Sequence, residues 1–296
     1  MTKIAHGLGF STFTMVLTMD PLALNRILEN FLAEDIGNGD ITSEAIFRRD
    51  QQVSAEFIAK DNFIVAGLED IVVRLFLLCN PYLQYEVIKD GSRVEAGDTI
   101  FRVQGPALDL LRAERVGLNI IQRLSGIATY TNFFVHKVED LPVKIVDTRK
   151  TTPGMRVLEK YAVRVGGGSN HRFNLTDGIL IKDNHISACG GIYPAVKLVR
   201  ERAPHILKIE VETENLGQVN ECLEAGVDII MLDNMDTSLM KKAVELTAGN
   251  ALLEASGGVT LDNVRAIAET GVDLISVGGL THSATSCDIS MRITSS

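Results

Sequence analysis

From Pro142 onward the chain alternates two textures: short, nearly continuous aliphatic runs, and longer segments with apolar residues every third or fourth position. The runs are VKIVDTR, GILIKDN, ILKIEVET, DIIMLDN, ALLEASGG and LISVGGLT. A strand apolar on both faces belongs in a parallel sheet covered by helices. Between the runs, YPAVKLVRERA, LGQVNECLEAG, SLMKKAVELTA and LDNVRAIAETG carry the 3.6-residue period of such helices. Helix, then Ala-Gly-Val-Asp or Thr-Gly-Val-Asp, then strand occurs twice, which predicts a closed (β/α) barrel; an open doubly wound sheet is the alternative.

The first half is patterned differently. PLALNRILENFLAED predicts an amphipathic helix, GNGD a turn, and VSAEFIA, FIVAG, LQYEVI and TIFRV short strands, together a small α+β unit. DGSRVEAGDTIFRV resembles the glycine-punctuated hairpin of biotinyl and lipoyl carrier domains. Its turn, Val94 to Gly97, lacks the lysine that a carrier modifies, so the likeness is one of sheet shape. The stretch from Ala107 to Asp140 is helical, with apolar residues covering more than one stripe. It is therefore expected to be buried on several sides, a second subunit being one cover, with a break at Ser125-Gly126.

Composition narrows the function. The chain has 296 residues, 46% of them hydrophobic, and a formal net charge of -9, so nucleic acid and anionic membrane surfaces would be repelled. An anionic ligand must be caught by a local cluster of cations. The four cysteines are scattered and form no CxxC pair, which fits a reducing cytoplasm. Residues 1–19 form a leader of unclear role whose apolar block is too short for a signal peptide, and no stretch is long enough to cross a bilayer.

In a parallel barrel the chemistry sits at the carboxyl ends of the strands. Here those ends carry Asp147-Thr148-Arg149-Lys150, Lys182 to His185, Glu210 and Glu212, Asp233-Asn234, Glu254 to Gly258, and Val277-Gly278-Gly279. Ser256-Gly257-Gly258 and Val277-Gly278-Gly279 let backbone N–H groups approach an anion, each with a helix N-terminus behind it, as a phosphate monoester requires. Glu212 and Asp233 offer oxygen ligands suited to Mg²⁺. Glu210, on the same strand face as Glu212, is either another polar liner or the partner of a lysine.

The stretch DTRKTTPGMRVLEKYAVRVGGGSNHR holds six Lys or Arg against two acids. Its ends, Arg149-Lys150 and His171-Arg172, return to the barrel mouth. Its middle predicts a helix with Pro153 near the start and Gly166 at the stop. Arg156, Lys160 and Arg164 form one ridge of that helix, either a solvated face or a surface toward a partner subunit. His171 and His185 suit positioning or hydrogen bonding better than metal ligation.

This stretch, with GILIKDNHI, EVETENL, MLDNM, LEASGGV and GVDLISVGGLTHS, and with EDIGNGDITSEAI and AERVGLNIIQRLSGIAT before it, resembles the quinolinate phosphoribosyltransferase family from about Glu34 onward. The departures are a leader before Asp20, Gly279 where Ala is frequent and Thr213 where Val is common. The resemblance implies an N-terminal α/β sandwich domain over 20–126, a seven-stranded α/β barrel over 127–281, and a segment 282–296 packing back on the first domain. It implies transfer of phosphoribosyl from phosphoribosyl pyrophosphate to quinolinate, with Mg²⁺, giving nicotinate mononucleotide, pyrophosphate and CO₂ in NAD biosynthesis. Thr148, Arg149, Lys150, His171, Arg172 and Lys182 would line the quinolinate and pyrophosphate sites, with Lys150, Lys182, Glu212 and Asp233 as catalytic groups. Glu212 and Asp233 would hold the ribose and metal, and Ser256, Gly257, Gly258, Val277, Gly278 and Gly279 the 5′-phosphate. Arg115 would reach the quinolinate of the other subunit of a homodimer. Substrate-altered homologues, including a nicotinate phosphoribosyltransferase, and an idle binding protein are the competing functions.

Overall fold

The computed structural model describes residues 19–294; the leader, apart from Met19, lies outside them. In the first half, helices α1 (Pro21–Ile36) and α2 (Ile41–Ile46) precede β1 (Gln52–Ala59), β2 (Phe63–Ile64), α3 (Val73–Cys79), β3 (Gln84–Val87), β4 (Arg93–Val94) and β5 (Thr99–Pro106). Asp20 caps α1 by accepting from the Leu22 and Ala23 amides, and Pro21 suits the first helical turn. Phe57, Phe76 and Phe101 form a buried edge-to-face trio with ring centroids 5.3–5.9 Å apart, an arrangement worth about 1 kcal/mol per pair beyond burial. β4 pairs with β2, while β5 pairs with β1 and β3, so the hairpin suggested by DGSRVEAGDTIFRV is not formed.

Helix α4 (Ala107–Lys137) leads into the second half and runs unbroken through Ser125 and Gly126. The small residues there serve close packing instead of a break. The Ser125 hydroxyl accepts from the Ala66 amide, and a Cβ on Gly126 would lie 2.1 Å from the Thr285 carbonyl oxygen. The helix is buried on several sides, as its pattern requires.

Beyond it come β6 (Lys144–Val146), α5 (Arg156–Val165), β7 (Ile179–Ile181), α6 (Asp183–Cys189), α7 (Ile192–Arg202), β8 (Ile209–Thr213), α8 (Leu216–Ala225), β9 (Ile229–Asp233), α9 (Thr237–Thr247), β10 (Leu252–Ser256), α10 (Val264–Ala268), β11 (Leu274–Ser276), α11 (Gly279–His282) and β12 (Ile289–Thr294). Six strands form one parallel sheet in the order β6-β11-β10-β9-β8-β7. The last strand of the series returns beside the first, so there is no reversal of strand order and the doubly wound alternative falls. A single parallel bridge, Val146 to Ser169, adds a vestigial seventh strand beyond β6. Across the seam from there to β7, Arg172 Nη1 donates to the Gly178 carbonyl at 2.8 Å. The final strand β12 leaves the barrel and pairs antiparallel with β1, in a sheet ordered β12-β1-β5-β3.

Candidate active site

The carboxyl ends of the parallel strands surround a cavity of about 900 Å³. Every residue expected at the site except Arg115 lines it: Thr148, Arg149, Lys150, His171, Arg172, Lys182, Glu212, Asp233, Ser256, Gly257, Gly258, Val277, Gly278 and Gly279. Arg115 is exposed on α4, outside the cavity of its own chain.

One wall is cationic. Arg149 and Lys150 follow β6, and neither side chain makes an ion pair among the described residues. Arg172 is pushed below the usual guanidinium range by burial and by the neighbouring Arg149 cation, against the pull of Glu210 and Asp177. Two guanidinium groups held together in this way favour a ligand that brings more than one negative charge. Lys182 forms an ion pair with Glu212 on the adjacent strand β8. His185 lies outside this wall, with its Nδ1 accepting from the Lys182 amide at 3.0 Å.

The lining at the ends of β10 and β11 is glycine-rich. Gly257 has φ +89°, and a Cβ there would lie 2.2 Å from Asn234 Oδ1, so any other residue would be strained and would displace the Asn234 side chain. A Cβ on Gly278 would meet Lys150 Cδ at 2.9 Å. Val277-Gly278 runs directly into α11, but α10 starts only at Val264, so the helix N-terminus expected directly behind Ser256-Gly257-Gly258 is absent.

The middle of the basic stretch is not the solvated ridge that helical spacing allowed. Lys160 is fully buried and paired with the equally buried Asp147, and its Nζ also donates to the His171 carbonyl at 2.9 Å. Asp147 further accepts from the His171 amide at 2.9 Å. Arg156 ties the loops together, donating to Thr151 Oγ1 at 2.9 Å and to the Phe173 carbonyl at 3.0 Å. Helix α5 starts at Arg156, leaving Pro153 and Gly154 in the turn before it. On its other side, buried Glu159 accepts from Arg123 of α4 and from the Thr152 amide. Arg123 also donates to the Thr281 carbonyl, and the Thr281 hydroxyl donates to the Lys150 carbonyl at 2.8 Å. Paired buried charges thus fix the backbone that carries the unpaired ones at the mouth.

Glu210 is buried and its partner is histidine, not lysine: His171 Nε2 lies 3.1 Å from its Oε2. Glu254, a cavity liner absent from the expected site, lies 3.7 Å from the same nitrogen. Its signal was a carboxylate in the middle of the aliphatic run LLEAS, two residues before Ser256 on the same face. Among the described residues the one close trio of metal-capable atoms is His171, Glu210 and Glu254. Glu212 and Asp233 line the cavity on neighbouring strands without a third such group.

A cluster of cations beside a glycine-rich lining at the carboxyl ends of a parallel barrel defines a site for a phosphorylated, multiply anionic ligand. The chain matches the quinolinate phosphoribosyl transferase N-terminal domain over residues 40–125 and the C-terminal domain over residues 127–292. It is 50% identical, over 93% of its length and 95% of the relative's, to a Bacillus subtilis protein described as a probable nicotinate-nucleotide pyrophosphorylase (carboxylating). It is 44% identical to the chloroplastic nicotinate-nucleotide pyrophosphorylase (carboxylating) of Arabidopsis thaliana, over 91% of this chain and 82% of that one. The crystal structure of NadC from Streptococcus pyogenes superposes with a TM-score of 0.90 at 41% identity, covering 94% of this chain and 99% of that one. The chain belongs to the quinolinate phosphoribosyltransferase family.

Proposed function

We propose that the protein transfers phosphoribosyl from phosphoribosyl pyrophosphate to quinolinate with decarboxylation, yielding nicotinate mononucleotide, pyrophosphate and CO₂ on the de novo route to NAD. The observation that carries this reading is the convergence of Arg149, Lys150, Arg172 and Lys182 on one cavity that is also lined by backbone at Gly257, Gly258 and Gly278.

Arg149 and Arg172 bind and orient the dicarboxylate, with His171 positioning Arg172 through its backbone amide. Ser256 to Gly258 and Val277 to Gly279 receive the 5′-phosphate through backbone N–H groups. Attack of the pyridine nitrogen on ribose C1 builds positive charge on the sugar while pyrophosphate leaves. Lys150 and Lys182 offset the negative charge that develops on the departing oxygens. Glu212 and Asp233, hard oxygen donors on adjacent strands, suit Mg²⁺ held together with the pyrophosphate. When bound there, Mg²⁺ supplies further positive charge against the leaving group. Once ribosylated, the ring nitrogen is cationic and stabilises the electron pair left on the adjacent carbon when the carboxylate departs.

Arg115 completes the quinolinate pocket of a neighbouring subunit in a homodimer. Its exposure on α4, away from its own cavity, supports that reading, as do the free thiols at all four cysteines for a reducing cytoplasm. Incubation with phosphoribosyl pyrophosphate and Mg²⁺, offering quinolinate or nicotinate, tests the activity. Mononucleotide and CO₂ should form from quinolinate only with Mg²⁺ present; faster turnover of nicotinate would reject the assignment.

A further inference from the structure

We propose that Glu254 is the acid that protonates pyridine C2 after CO₂ has left, supplied with protons from the cavity behind it and not from the substrate mouth. The proposal deepens the reading above and rests on it. The step balances as follows. The bond from C2 to the carboxylate carbon breaks and its electron pair stays on C2 beside the cationic ring nitrogen. The Glu254 carboxyl proton bonds to C2, and the resulting carboxylate regains one proton from water.

Position makes the first case. Glu254 is 1% exposed, in the middle of β10, yet it lines the substrate cavity. It also lines a second cavity of about 360 Å³, whose walls include Lys144, Lys208, Ile229 and Leu274 at the amino-terminal ends of the strands. His171, Arg172 and Glu254 line both spaces. With substrate filling the mouth, the rear cavity is the remaining route for water to this carboxyl.

The count of protons makes the second. His171 Nδ1 accepts from the Arg172 amide at 2.7 Å, so the ring carries its proton on Nε2. That single N–H points to Glu210 Oε2 at 3.1 Å, leaving Glu254 Oε1 at 3.7 Å. Oε1 of Glu210 and Oε1 of Glu254 are both buried without a hydrogen-bond partner. Two buried carboxylates this close, sharing the His171 N–H and the Ser276 hydroxyl, disfavour the state in which both are ionised. Burial first, then the Glu210 charge, push Glu254 up to about 7, against the opposing effects of His171 and Ser276. The groups facing it are Glu210 on β8, His171 from the segment before β7, Asp147 after β6, Met231 on β9 and the Ser276 hydroxyl on β11. The same trio could be read as a cation site. However, a proton on Nε2 removes the lone pair that a metal would need.

The test compares wild type with Glu254→Gln from about pH 6 to about pH 9, following mononucleotide and pyrophosphate separately, with quinolinate binding by calorimetry. Because the acid form is required, wild-type mononucleotide formation should fall as pH rises through about 7. Glu254→Gln should lack that limb, run roughly 100-fold slower and bind quinolinate within about threefold of wild type. A variant within about threefold of the wild-type rate sinks the proposal. A wild-type profile flat through neutrality does the same and needs no folded variant. So does stoichiometric Mn²⁺ or Zn²⁺ bound by wild type and lost in Glu254→Gln. Wild type that releases no pyrophosphate with quinolinate rejects the underlying function instead.

Discussion

The mouth of the barrel and the layer beneath α4 and α5 both hold arginine and lysine, and they use them in opposite ways. Below, Lys160 and Arg123 are matched by the buried Asp147 and Glu159 and by backbone carbonyls. Above, Arg149 and Lys150 have no carboxylate partner among the described residues, and Arg172 sits against a like charge. A buried ion must be paired, since desolvation costs several kcal/mol. Arg149 and Lys150 are left unpaired to receive a ligand, while Lys182 at the mouth keeps its Glu212 partner. Arg123 on α4 apart, the two sets lie within one stretch of sequence because the first holds the loops that display the second.

Breaking a buried pair should have the largest effect. Lys160→Met leaves Asp147 uncompensated and should lower unfolding free energy by about 3–5 kcal/mol in denaturant titrations. Arg149→Ala should leave the unfolding midpoint in place while kcat/KM for quinolinate falls roughly 100-fold. Loss of stability there would erase the distinction between the two regions. Gly126→Ala, which drives a Cβ to 2.1 Å from the Thr285 carbonyl oxygen, should cost about 1–3 kcal/mol of stability with the site's charges untouched. At the small end stands Arg265→Ala. It breaks contacts to Asp140 and Glu269 on the solvated surface, and should shift neither midpoint nor rate measurably.

All six parallel strands were legible because strands buried on both faces need uninterrupted aliphatic runs, and the cationic mouth was legible because strand ends place it. Lys160 was not. Helical spacing groups it with Arg156 and Arg164, and nothing local indicates that Asp147, thirteen positions earlier, meets it in the interior. Ser125-Gly126 misled for a related reason: small residues mark either a bend or a close approach, and only the position of Thr285 decides which. Glu254 was visible as a charge inside an aliphatic run, but its function depends on His171, from the segment before β7, and on Glu210 of β8. The seventh strand reduces to one bridge at Ser169, too short for any periodicity.

The pairing of β12 with β1 has a consequence for synthesis. Thr294 reaches back across 240 positions to Ser54, so β1 keeps one open edge until nearly the whole chain has left the ribosome. Contacts this distant are slow to form, and an unpaired strand edge invites other chains to add to it. A chain ending before Ile289 would leave that edge permanently exposed, and intermolecular association is the expected fate of such a fragment, although every residue of the cavity would still be present.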